Sequence, residues 1–196
     1  DRLRRIANDD HTGLLNGGII ALGLASGMTA QEALDFYKDE GRAIFSHPRR
    51  ISRLWRPKYS REPLDQALRE IFGDLTMNDL KSEVAVTAHE LVSGTTRVWK
   101  DDHHPALAGG GQLPVWKVAA ATSAAPTFFD PVQIGTADSH IDGGIWANNP
   151  AMVGIVEAVR YAERDLGSIR LASVGTTARV FRAASHEAAM RLGTWG

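Results

Sequence analysis

The chain of 196 residues contains no cysteine. That absence removes disulfide scaffolds, thiol nucleophiles, cysteine-ligated zinc and iron–sulfur clusters together. Ser, Thr, Asp, Glu, His and Lys remain as candidate reactive groups. Net charge is also lacking, with 22 Lys and Arg against 23 Asp and Glu. No global field draws such a molecule to a nucleic-acid polymer or an anionic surface, so any anion site must be local. Long apolar runs are missing too. The longest uncharged stretch, Thr12 to Gln31, holds five glycines along with Asn16, Ser26 and Thr29, a composition unsuited to a membrane span. The chain opens Asp1-Arg2-Leu3-Arg4-Arg5, without an initiator Met or an apolar signal core. This predicts a cytoplasmic chain whose natural start lies upstream.

What is present is a globular balance, 43% hydrophobic and 23% charged, over the length of a single domain, residues 1–196. Gly17 to Gly27 reads as a short buried helix with Gly27 as its stop. Thr29-Ala30-Gln31-Glu32 has the spacing of a capping box and opens a second helix to about Ile44. His47 to Arg61 carries Arg49, Arg50, Arg53, Arg56, Lys58 and Arg61 with Trp55, Tyr59 and no acid, and reads as a surface excursion. Pro63 at a first-turn position, then Leu64, Ala67, Leu68, Ile71 and Phe72, closed by Gly73, predict an amphipathic helix. Val84 and Val86 signal a strand, and Thr95 to Trp99 another after a Ser93-Gly94 turn. Pro114 to Ala121 reads as helix. Ile141 leads into an Asp142-Gly143-Gly144 turn, Pro150 opens a helix running to near Gly167, and Ile169 to Val174 reads as a buried strand. Helices alternating with short apolar strands predict an α/β sheet covered on both faces.

Four segments, in order, resemble the patatin-like phospholipase family. Gly13-Leu14-Leu15-Asn16-Gly17-Gly18-Ile19-Ile20-Ala21-Leu22 is similar to the family's nucleophile elbow and the helix after it. Ala120 to Phe129 resembles a segment beside the active site, and Ile141-Asp142-Gly143-Gly144-Ile145-Trp146-Ala147-Asn148-Asn149-Pro150 resembles the Asp-Gly-Gly/Ala motif. Ser173-Val174-Gly175-Thr176 resembles the strand end that follows. The resemblance implies a three-layer fold with a central, mostly parallel sheet between helices. It also implies a serine–aspartate dyad that hydrolyses lipid acyl esters and needs no cofactor or metal. In such a dyad the aspartate takes the hydroxyl proton directly while the serine attacks the ester carbonyl. Asp142 would be the base, the elbow glycines Gly13, Gly17 and Gly18 would allow the sharp turn, Gly143 and Gly144 would let the backbone pass close to the substrate, and the helix N–H groups would meet the oxyanion.

Two departures from that pattern stand out. The alignment puts Leu15 where the nucleophilic serine belongs, and no serine in the chain has glycine at both i−2 and i+2. The family's first strand and glycine-rich oxyanion loop should precede the elbow by several tens of residues, whereas about a dozen residues, none of them glycine, precede Gly13. Removing the nucleophile of a serine hydrolase costs roughly a million-fold in rate. The resemblance therefore implies an impaired hydrolase, the alternative being a non-catalytic relative that binds lipid or a partner protein.

Other groups have two readings each. Arg53, Arg56 and Lys58 could hold a phosphate through forked or point contacts, or simply solvate a loop. Asp101-Asp102 and His103-His104 carry the right atoms for a divalent metal, but adjacent residues point apart. Ser123 is a replacement nucleophile or a packed residue, Thr12 a second hydroxyl that would sit on the strand before the turn, and His140 a strand-end residue. Arg56-Pro57-Lys58-Tyr59, the Pro63-Leu64 helix and His103-His104-Pro105 further resemble bacterial patatin-like effectors that cyclic nucleotides activate in antiphage defence. That resemblance implies phospholipid degradation at the inner face of a membrane, by a peripheral protein switched on by a cyclic nucleotide.

Overall fold

The computed structural model describes residues 16–46, 48, 57–107, 109–135 and 138–175. The first described elements are two helices, α1 (Asn16–Ser26) and α2 (Ala30–Phe45). Gly27 separates them in a left-handed conformation, φ +100°, which glycine adopts without steric cost. Thr29 forms the expected capping box, its hydroxyl oxygen accepting from the Glu32 N–H at 3.2 Å while the Glu32 carboxylate accepts the Thr29 N–H at 2.7 Å. Helix α3 (Glu62–Phe72) has Pro63 in its first turn and is closed by Gly73. Its apolar stripe, Leu64, Ala67, Leu68 and Phe72, is buried.

A hairpin follows, β1 (Val86–Glu90) and β2 (Thr95–Trp99), with the turn between them held by Glu90. The buried Glu90 carboxylate accepts the Val92 and Ser93 N–H groups and the Ser93 hydroxyl. Next come α4 (Val115–Thr122), a second hairpin of β3 (Val132–Ile134) and β4 (Asp138–Asp142), a single helical turn α5 (Gly144–Ala147) and α6 (Ala151–Arg160). The strands form one sheet in the order β2-β1-β4-β3. Helix α4 packs against β1, β3 and β4, and against α1 and α3. Leu22, Leu64, Leu68, Phe72, Met77, Val86, Val115 and Val118 make the centre of the core, each large side chain contributing about 1.5–3 kcal/mol when fully buried.

The α/β class agrees with the sequence reading, but the strand directions do not. All three pairings among the described residues are antiparallel rather than mostly parallel. Connection length accounts for two of the three: β1 to β2 and β3 to β4 are joined by short turns, which permit only antiparallel neighbours. Strand β3 was not foreseen. Three further expectations are corrected. Helix α6 ends at Arg160, not near Gly167, because Glu163 turns left-handed (φ +50°) and the Arg164 N–H returns to the Ala158 carbonyl at 2.9 Å. Ile169 to Val174 is no buried strand: it follows a 3₁₀ turn at Leu166–Ser168, and residues 170–175 are exposed with no strand partner among the described residues. Tyr59, placed in a surface excursion, is only 2% exposed, its ring packed on Phe45, Phe128 and Phe129.

Candidate functional site

Strand β4 delivers Asp142 to a junction of four elements. The Asp142 Cα is paired with Ala88 of β1, but its N–H leaves the sheet and donates to the Ala124 carbonyl, 3.1 Å away. The next residue must be glycine, since a Cβ at 143 would run into the backbone carbonyl and hydroxyl of Thr87. The Gly144 N–H then turns back and donates to Asp142 Oδ1 at 2.7 Å. Trp146 fastens α5 to the sheet by donating its indole N–H to the Ala88 carbonyl at 2.9 Å. Asn149 accepts the Ala151 N–H at 3.1 Å and so begins α6.

The start of α1 comes in from the other side. A Cβ at Gly18 would strike the Thr122 side chain, whose hydroxyl donates to the Thr87 carbonyl at 2.8 Å. Gly18, Thr122, Thr87 and Gly143 thus meet in succession and bring α1, α4, β1 and the end of β4 together. The result is a cavity of about 780 Å³ bounded by Gly17, Gly18, Thr87, Thr122 and Asp142, within the range of small-molecule sites. Pro126, Phe128 and Ile145 make an apolar part of the wall, and Asn148, Asn149 and Ser173 a polar one.

Asp142 is the only ionisable side chain lining this cavity among the described residues. Burial pushes its carboxyl up to about 6, although the Gly144 N–H pulls the other way. A carboxylate poised there can take a proton near neutral pH more readily than an exposed one. Gly17 and Gly18 of α1 border the same cavity.

Comparison with known proteins fits this geometry. Residues 16–155 match the model of the family described as Patatin-like phospholipase. The chain belongs to the patatin-like phospholipase family. Among patatin-like relatives, it is 34% identical to a cGAMP-activated phospholipase of Vibrio cholerae serotype O1, over 94% of this chain and 58% of that protein. It is 37% identical to a cGAMP-activated phospholipase of Escherichia coli strain TW11681, over 79% of this chain and 45% of the relative. It is 33% identical to a Pseudomonas aeruginosa protein of the same description, over 82% and 49%. The chain thus spans about half the length of the curated relatives it matches.

The patatin-like motif residues Gly17, Gly18, Asp142 and Gly144 line one cavity, with Gly143 packed just behind it on Thr87. Gly13, Leu15, Arg53, Arg56 and Thr12 lie outside the described residues, as does the stretch before Gly13 on which the expected lack of a first strand and oxyanion loop rests. Lys58 is described: its ammonium sits 5.0 Å from the Tyr59 ring centroid and 5.7 Å from that of Phe128. Ser123 is fully buried and donates to the Ala119 carbonyl at 2.7 Å, which makes it a packed residue. His140 is likewise buried, against Trp99.

The acid and histidine pairs diverge to separate partners. His103 meets Asp101 at 2.9 Å, Asp102 accepts the Gly111 N–H, and His104 accepts the Ala106 N–H. No group of three or more potential metal ligands occurs among the described residues, and none of their helices is long and apolar enough to cross a membrane. Sequence reasoning missed Thr87 and Thr122. The signal for Thr122 was its place between two runs of alanine, where a lone hydroxyl in an apolar helix needs a partner.

Proposed function

We propose that this cavity is the acyl-ester site of a phospholipid hydrolase whose nucleophile position holds Leu15, so that the chain binds lipid acyl esters and hydrolyses them poorly or not at all. The observation that carries the reading is the shared cavity of Gly17, Gly18 and Asp142. That sharing supports a position 15 that faces the carboxylate, two residues before Gly17. With a serine at 15, the hydroxyl proton would pass to Asp142 and the oxygen would attack the ester carbonyl. The N–H groups at the start of α1 would meet the oxyanion. With leucine there is no attacking oxygen, and the carboxylate has no hydroxyl proton to accept. A role confined to binding lipid or a partner protein is the second reading, favoured by the same leucine.

Residues 1–196 act in this proposal as a single patatin-like domain, cytoplasmic and peripheral to the inner membrane face. The description of three relatives as cGAMP-activated supports a cyclic nucleotide as activator, with Arg53, Arg56 and Lys58 as phosphate ligands and antiphage defence as the setting.

Release of fatty acid from a phospholipid or a p-nitrophenyl ester tests the proposal. The chain as it stands should show little or no turnover. Leu15→Ser should gain activity, and Asp142→Asn in that background should remove the gain. Turnover by the unaltered chain that Asp142→Asn abolishes would mean that another residue is the nucleophile.

A further inference from the structure

One strained residue holds the apolar wall of the cavity. Thr127 has φ +69°, a left-handed conformation in which a β-branched side chain is a true outlier. It follows Pro126 in a turn closed by the Phe128 N–H donating to the Ala125 carbonyl at 3.1 Å. Proline second and a left-handed residue third is the pattern of a type II turn, whose third place ordinarily falls to Gly or Asn. The Thr127 side chain is exposed, so packing of its methyl group gives no reason for threonine to be there. The two neighbours of Thr127 both line the cavity. Two backbone hydrogen bonds fix the segment from behind: the Lys58 N–H donates to the Thr127 carbonyl and the Tyr59 N–H to the Phe128 carbonyl, each at 2.9 Å. Strain of this kind persists only where the surroundings impose it, and it gathers where a site must be held in one shape.

We infer that Thr127 is a positioning residue, whose stiff, strained backbone holds Pro126 and Phe128 against the acyl chain and so sets how strongly chain length is read. This inference rests on the acyl-ester reading of the cavity. A β-branched residue has few alternative backbone conformations near the turn. Glycine at the same place would satisfy the turn and still leave the wall free to move. Thr127 does not touch the ligand and acts through Phe128.

The test measures binding of monomeric phosphatidylcholines with butanoyl and hexanoyl chains to the full chain, together with melting temperature. Thr127→Gly should raise the melting temperature, because strain is relieved. It should also weaken hexanoyl binding at least fivefold and flatten the preference for the longer chain. Phe128→Ala should reproduce the loss of preference. Thr127→Asn, which tolerates the left-handed region and keeps a side chain on the turn, should restore most of the preference. A Thr127→Gly protein that melts lower, or that binds both lipids as the unaltered chain does, overturns the inference and leaves the site reading standing. Failure of the unaltered chain to bind either lipid overturns the site reading and the inference with it.

Discussion

The Gly144 N–H lies 2.7 Å from Asp142 Oδ1, and the carboxyl is nonetheless pushed up to about 6 by burial. One backbone hydrogen bond does not repay the solvation that Asp142 gives up on folding. Between about pH 4 and 6 the folded protein therefore holds a proton at Asp142 that the unfolded chain, with a carboxyl near its ordinary value of 3.8, has already lost.

A pH dependence of stability follows, with its sign fixed. Because the folded value is raised, the Asp142 penalty is absent below about pH 4, grows as pH climbs toward about 6, and is complete above that. Asp142→Asn keeps an oxygen for the Gly144 N–H and carries no charge. It should stabilise the fold at pH 7.5 by about 2 kcal/mol, allowing for partial solvent screening, and by almost nothing at pH 4. Urea unfolding of both proteins at the two pH values measures this. An equal difference at both would show that the carboxyl is not shifted.

The glycines of the site separate by what surrounds them. Gly143→Ala drives a methyl group into the Thr87 backbone and should cost about 2–3 kcal/mol or prevent folding. Gly17 has open space where its Cβ would stand, and alanine there should raise stability by about 0.5–1 kcal/mol. The added methyl group would protrude into the cavity. Melting temperatures of the two variants should move in opposite directions.

Helix α6 contributes no fully buried residue, so its tether matters. Glu157 meets Lys100 at 2.6 Å, with side chains 17% and 14% exposed, and the same ammonium lies 4.0 Å from the Tyr161 ring centroid. Glu157→Gln should cost about 1–2 kcal/mol. Amide hydrogen exchange should quicken across residues 151–161 and stay unchanged in α3.

The capping box of α2 is exposed and local. Thr29→Ala should lower stability by about 1 kcal/mol and lower helix content by circular dichroism, while Asp142 and its cavity remain intact. Loss of lipid binding in Thr29→Ala would point to a coupling that the contacts of Thr29 do not supply.

Local chemistry made α1 to α4 readable: Gly27 and Gly73 as stops, Thr29 as a cap, Pro63 and Pro114 as starts. The β1–β2 hairpin was equally plain from Ser93-Gly94 and the β-branched run after it. Strand β3 was not, because Val132, Gln133 and Ile134 are too few residues to show a period. The direction of the sheet depends on which strands become neighbours, and alternation within one strand carries no record of that. The extent of α6 misled because Ala158 to Leu166 keeps helical composition, while the left-handed Glu163 that ends the order carries no sequence mark. At the site, Asp142 and its glycines were legible as a motif. The Thr122 to Thr87 bond was not, since it joins residues 35 apart whose meeting depends on the packing of α4 on β1.

Strand β4 pairs with β1 through residues 50 to 54 positions apart along the chain, after β2, α4 and β3 have intervened. Closing a loop of that length is entropically costly and slow compared with forming either hairpin. Asp142 therefore gains its buried surroundings late in folding, when the two halves of the sheet join. A protease-nicked or partly melted molecule can keep the first hairpin and all its local bonds and still hold an aspartate that is ionised at about pH 5, where the carboxyl of the intact fold is mostly protonated.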